Sequence, residues 1–197
     1  MKRSTSLLLF LIFLASPAVH AADLEKIDVQ DLGTLGGNYS YALAINDLGQ
    51  VVGASTTANG ASHAFFWTAG GGMADLGTLG GDYSEAVAIN DLGQVTGSSA
   101  TGSGFSHAFF SPSAGGMVDI GTLGGKFSNP YAINNHGQVV GDSYTDSGSY
   151  RAFLWSQENE IVELGTLGGD TSQAVAINDS SQVVGGSDTK EGLWRAF

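Results

Sequence analysis

Four short segments of this chain set a polar side chain beside a flat apolar one: Asn38-Tyr39, Asp82-Tyr83, Lys126-Phe127 and, with threonine replacing the ring, Asp170-Thr171. A ring offers a platform to the apolar face of a sugar, and the polar neighbour can bond its hydroxyls. The same Tyr39, Tyr83 and Phe127 would serve equally as packing between structural units, and the sequence leaves both readings open. A second set, Asn46, Asn90, Asn134 and Asn178, always follows Ala-Ile. An asparagine there bonds its own turn backbone. If all four instead faced one axis, their amides would ring a channel mouth and hold an ion or water.

Other chemistry is poorly supported. The chain has no cysteine and only four histidines. His63 and His107 occupy one position of a recurring tripeptide, where Arg151 and Arg195 stand in the later copies. Arginine has no lone pair to offer a metal, so this position reads as a hydrogen-bond donor. The stretch from Asp142 to Gly148 has its glycine one place late for a calcium loop, and Phe153 stands where a glutamate belongs. No serine-nucleophile elbow, phosphate loop or zinc motif is present. Asp31, Asp75, Asp119 and Glu163 are again one position copied. A glycosidase needs two differently tuned carboxylates at one spot. Only symmetry-breaking acids such as Glu85, Glu158 or Glu160 keep a secreted carbohydrate-active enzyme open as the alternative. No catalytic residue, metal ligand or cofactor is assigned.

The copies recur because the chain is periodic. Leu32–Gly37, Leu76–Gly81, Ile120–Gly125 and Leu164–Gly169 carry the phrase Leu-Gly-Thr-Leu-Gly-Gly, with one Ile for Leu, at intervals of 44 residues. In the second copy, Glu85–Asn90 alternates, with Ala86, Ala88 and Asn90 on one face and Val87 and Ile89 on the other. Asp91-Leu92-Gly93 is a hairpin loop leading to a strand over Gln94–Ser98. His107–Phe110 and Met117–Ile120 are third and fourth strands.

Four short antiparallel strands at this period predict an all-β, propeller-like array of four blades. The alanine-rich strand suits the crowded axis, the aromatic strand the space between blades, and the glycine phrase the outer-to-inner crossover. Pro130, at the place of Ala42, Ala86 and Ala174, fits an edge strand because proline cannot donate to a ladder. The segment Ile27–Leu32 matches a fourth strand, while Arg195-Ala196-Phe197 falls inside a third. Closure of the ring by the N-terminal strand and truncation of a longer array both remain open.

The motifs Ala-Ile-Asn-Asp-x-Gly-Gln-Val-Val-Gly, His-Ala-Phe (His63–Phe65, His107–Phe109) and Asp-Leu-Gly-Thr-Leu-Gly-Gly recur in fixed order. Together they resemble the HAF-type extracellular repeat, over essentially the whole chain after its leader. The resemblance implies export from a bacterial cell and a propeller-like repeat, with no settled activity. Departures are Arg151 and Arg195 for histidine, and Ser181 for the hairpin glycine of Gly49, Gly93 and Gly137. A serine at positive φ costs roughly 1 kcal/mol.

The leader itself spans residues 1–21. Lys2 and Arg3 precede the apolar run Leu7–Ala15, and Val19-His20-Ala21 provides a cleavage site after Ala21. The run is too short for a membrane-spanning helix. Its removal leaves residues 22–197 as one β-repeat domain, with five basic residues against 19 acidic ones, a formal net charge of −14. Without a basic stripe, nucleic acid is not an expected partner, nor is membrane insertion expected after cleavage. The sequence reads best as a secreted or periplasmic, non-enzymatic binding module whose partner is a polysaccharide or cell-surface protein. The runners-up are the enzyme above and an architectural piece of a larger surface protein.

Overall fold

The glycine phrase forms a turn in which nearly every residue has a task. In the computed structural model, which describes residues 28–112 and 115–197, Gly77 and Gly80 take φ of +76° and +103°. Side chains rarely tolerate those angles. Gly81 is extended, and a Cβ there would overlap Ala100. Thr78 Oγ1 donates to Gly81 O at 2.7 Å and accepts from Gly80 N at 3.2 Å. Leu79 N donates to the buried Ser99 Oγ at 2.8 Å. The Gly36, Gly124 and Gly168 turns repeat this arrangement.

Each turn launches a run of antiparallel strands. The first repeat holds β1 (Gly36–Ile45), β2 (Val51–Thr57), β3 (Ser62–Thr68) and β4 (Gly72–Gly77). The second holds β5 (Gly80–Ile89), β6 (Val95–Thr101), β7 (Ser106–Ser111) and β8 (Val118–Gly121). The third holds β9 (Gly124–Ile133), β10 (Val139–Thr145), β11 (Tyr150–Trp155) and β12 (Val162–Gly165). The fourth holds β13 (Gly168–Ile177), β14 (Val183–Thr189) and β15 (Trp194–Ala196). No helix occurs among the described residues, so the chain is all-β, in several sheets. Consecutive strands pair within each repeat, and one parallel bridge, Ser62 to Tyr83, joins β3 to β5.

One expectation needs correction. Strict alternation along β5 fails: Ala86 pairs Gly97 and Ala88 pairs Thr96, so Val87 is an extra bulged residue. The bulge recurs between Ala42 and Ala44 and between Ala174 and Ala176. Its cause lies across the ladder, where Gly53, Gly97, Gly141 and Gly185 sit so close to the facing strand that a Cβ would overlap a carbonyl oxygen. The glycine of Gln-Val-Val-Gly is therefore a close-approach residue. The fourth repeat's sheet runs β13-β14-β15 with no fourth strand among the described residues, in keeping with Arg195-Ala196-Phe197 falling at a third strand. Residues 28–34 form no strand. The leader and its cleavage site lie outside the described residues, as does Ile27 of the proposed closing strand.

Other features fall where the sequence reading put them. Pro130 lies on β9, the edge of the sheet β12-β11-β10-β9. Ser181 has φ of +58° in the hairpin position where Gly49, Gly93 and Gly137 have +70°, +73° and +72°.

Leu32–Phe197 packs as one unit whose cores lie between repeats. Val52, Ala64, Phe66 and Leu76 of the first repeat pack with Ala86, Val95 and Phe109 of the second. Ala108, Phe110 and Ile120 pack with Val139, Phe153 and Trp155 of the third, and Val140 and Ala152 with Ala174 of the fourth. A further cluster, Val51, Phe65 and Trp67 with Leu32, Leu35 and Met73, lies within the first repeat and the phrase that leads into it, so the joints carry most but not all of the core.

Candidate functional site: an aromatic cleft in the third repeat

The segment after the glycine phrase departs most from strict repetition in the third copy. Phe127 is edge-on to Phe105, with centroids 5.7 Å apart, and edge-on to Tyr144 at 5.9 Å. Tyr144 approaches Tyr150 at 6.4 Å. The Lys126 ammonium stands 5.0 Å over the Phe105 ring. Phe127 and Tyr144 keep 40% and 38% of their surface exposed. Both rings can therefore be reached from solvent.

Lys126, Phe127 and Tyr144 border a cleft of about 430 Å³. Gly124, Gly125 and Gly148 keep its floor low, Phe127 and Tyr144 give it an apolar wall, and Lys126 and Asp146 add one charge of each sign. A cleft with these features fits a sugar ring stacked on an aromatic face, with charged groups meeting hydroxyls or an acid substituent.

Of the seven polar-and-aromatic candidates, Lys126 and Phe127 therefore share one cleft. Asn38 lines an equivalent cleft of about 470 Å³ in the first repeat, with Gly36, Gly37 and Thr56. There Thr56 Oγ1 accepts the Asn38 and Tyr39 N–H groups, both at 3.0 Å, so no ring takes the place of Tyr144. Tyr39 is exposed beside Tyr41, with centroids 5.6 Å apart. Asp82 is exposed on β5, and Asp170 is exposed on β13 beside Thr171, whose hydroxyl bonds Asp188.

Tyr83 belongs to a different group. Its hydroxyl donates to Glu85 Oε2 at 2.6 Å, and Tyr41 donates to the same oxygen at 2.5 Å. Burial, reinforced by the Glu85 carboxylate, pushes Tyr83 up to about 12 and raises Tyr41 further. A matching network lies in the third repeat. The buried Asp142 accepts from Asn129 Nδ2 at 2.9 Å, Tyr131 Oη at 2.9 Å and Gln173 Nε2 at 2.9 Å. Burial, then the Asp142 charge and hydrogen bond, push Tyr131 up to about 12. Tyr41, Glu85, Asn129 and Gln173 are one repeat position carrying four different residues. That position forms polar links between neighbouring repeats.

The four asparagines are absorbed by their hairpins and by the joints. Asn90 Oδ1 accepts from Leu92 N at 3.1 Å and Gln94 N at 2.9 Å, and its Nδ2 donates to Gln94 Oε1 at 2.7 Å and Asn134 O at 2.8 Å. Asn46 and Asn134 repeat the pattern onto Asn90 O and Asn178 O. The Asn178 side chain keeps only the bonds within its own hairpin.

Phe105, Tyr144 and Tyr150 were not legible from repeat averages. For Phe105 and Tyr144 the signal is a position where one copy carries a ring and its relatives do not; Tyr150 shares its position with Ser62, Ser106 and Trp194. Tyr144 replaces Thr56, Ala100 and Asp188, and Phe105 replaces Ala61, Ser149 and Leu193. Among the described residues, no three His, Cys, Asp or Glu side chains converge as metal ligands would. Comparison with protein-family models and with curated protein sequences returns no match.

Proposed function

We propose that this chain is an exported, HAF-type repeat protein that binds a glycan in the aromatic cleft of its third repeat. The observation that carries the reading is the half-exposed four-ring cluster of Phe105, Phe127, Tyr144 and Tyr150, with Lys126 and Asp146 at its cleft. On this reading the repeats are propeller-like blades. Their support is the direct linkage of equivalent innermost hairpins 44 residues apart, from Asn46 to Asn90 and onward. Residues 1–21 address the chain to the secretory route, with cleavage after Ala21, and the acidic remainder acts in the periplasm or outside the cell.

The test is titration with neutral and uronic-acid polysaccharides, read by quenching of tyrosine fluorescence and by calorimetry. Tyr144→Ala should weaken binding about tenfold or more, in line with the usual contribution of a stacked ring. Tyr39→Ala, on the first repeat, should leave it unchanged. Equal binding by wild type and Tyr144→Ala would overturn the assignment of the cleft.

A further inference from the structure

The cleft of the third repeat carries its two charges in an arrangement that the other repeats do not share. One position follows the glycine phrase on the first strand of a repeat, and the other opens its second hairpin. They read Asn38 and Ala58 in the first repeat, Asp82 and Gly102 in the second, Lys126 and Asp146 in the third, and Asp170 and Lys190 in the fourth. The first two repeats offer no cation at either position. The fourth has both charges in reversed order, but Thr171 and Asp188 replace Phe127 and Tyr144, the two rings that wall the cleft.

Lys126 is also an uncompensated charge. It is the one Lys or Arg between residues 28 and 150. Its side chain is exposed, and it joins none of the ion pairs among the described residues, which are His63–Asp75, His107–Asp119 and Arg151–Glu163. The Phe105 ring holds its ammonium instead, at 5.0 Å from the centroid. A carboxylate would cancel the charge, whereas a ring attracts the cation and leaves its charge intact.

Asp146 is placed by its hairpin. Gly148 N donates to Thr145 O at 3.0 Å, and Thr145 N donates to Ser149 O at 2.9 Å. A Cβ at Gly124 would lie 2.8 Å from the Asp146 carboxyl group, so the carboxylate rests against the bare turn that opens the repeat. It too is exposed and joins no ion pair among the described residues. The two charges therefore border one cleft without closing on each other.

We propose that this cleft selects a sugar bearing a carboxylate, a uronic acid, and that Lys126 is the residue that reads the acid. The proposal rests on the glycan reading of the same cleft. The sugar ring lies against Phe127 and Tyr144, its carboxylate meets the Lys126 ammonium, and its hydroxyls donate to Asp146. A neutral sugar offers the ammonium only hydroxyl dipoles, so a charge-assisted bond separates the two ligands. Asp146 repels a carboxylate turned the wrong way, so the pair of charges sets one orientation. The acidic chain as a whole does not attract anions, so this preference has to arise from contact in the cleft.

The test compares an oligogalacturonide with its methyl ester, which keeps the ring and removes the charge. Calorimetry at physiological salt reads contact, because repulsion from distant carboxylates is then screened. Wild type should bind the acid about fivefold more tightly than the ester, as expected for one partly exposed charge pair. Lys126→Gln should bring the acid down to the level of the ester, and Lys126→Arg should keep the preference. Lys190→Gln removes the same unit of charge in the fourth repeat and should also keep it, which separates contact from net charge. Asp146→Asn should narrow the cleft's discrimination between the two ends of the ligand and tighten the acid. Both side chains are exposed, so these variants should fold, as circular dichroism would check. Equal binding of acid and ester by wild type, with both weakened by Tyr144→Ala, would overturn the proposal and leave the glycan reading standing. A preference for the acid that survives Lys126→Gln would overturn it as well. A preference lost in Lys126→Gln but indifferent to Tyr144→Ala would support Lys126 as the partner of the acid and overturn the stacked ring. Binding of neither form would overturn both.

Discussion

His63 Nδ1 lies 2.9 Å from Asp75 Oδ2, across the ladder from β3 to β4. The second repeat reproduces it as His107 and Asp119, also at 2.9 Å. In the third repeat both partners change together: Arg151 replaces the histidine, Glu163 replaces the aspartate, and the pair stands at 3.5 Å. The base of the His-Ala-Phe tripeptide and the acid of Asp-Leu-Gly are thus one unit of structure, which explains why the base can alternate between histidine and arginine.

The pair yields a double-mutant cycle. Asp75 Oδ1 also accepts from Gly77 N at 2.7 Å, capping the glycine turn. Asp75→Ala should therefore destabilise more than His63→Ala. The coupling between the two should be about 0.5 kcal/mol, because both side chains are partly exposed. Urea denaturation of the four variants measures it. A coupling of zero would mean the carboxylate serves the turn alone.

Tyr131 gives a pH dependence with a definite sign. Its folded pKa is raised to about 12 from an ordinary value near 10, by burial and then by Asp142. The folded state therefore holds its proton more tightly than the unfolded one. The resulting stability is complete below pH 10 and lost as the pH rises through 12. Denaturation at intervals from pH 9 to pH 12 should show a decline that is smaller in Tyr131→Phe. An identical decline in both proteins would assign the alkaline loss to other groups.

The repeat, the strand content and the placement of each hairpin were legible in the sequence because period-two patterning and glycine turns are local effects. Three features were not. The bulge at Val87 arises from Gly97, a partner on another strand, so alternation within β5 could not reveal it. The His63–Asp75 pair spans a ladder and becomes readable only when the change to Arg151 and Glu163 is seen as one event. Tyr144 contributes to the cleft through contacts with Phe127 and Tyr150, and comparing copies for sameness hides a residue that matters for its difference. Lys126 and Phe127 could be singled out because the polar residue there changes charge from copy to copy.

The asparagines allow the joints to be separated from the hairpins. Asn90 and Asn178 hold their own loops in the same way, each accepting two backbone N–H bonds and donating to a glutamine. Only Asn90 also donates to the next repeat, at Asn134 O, and only Asn90 is buried. Asn90→Ala should remove both functions and leave buried polar groups unpaired, at a cost of about 3 kcal/mol. Asn178→Ala removes one function in a solvated setting and should cost about 1 kcal/mol. Asn90→Asp is the informative third variant. It keeps an oxygen for the hairpin N–H groups but sets a carboxylate against Gln94 Oε1 and Asn134 O, so it should be closer to Asn90→Ala than to wild type. Thermal melts of the three rank them. Should Asn90→Asp match wild type, the link to Asn134 would contribute nothing, and the joint would rest on its apolar residues and its other hydrogen bonds, Ala108 N to Ser128 Oγ and Asp91 N to Asn135 Oδ1.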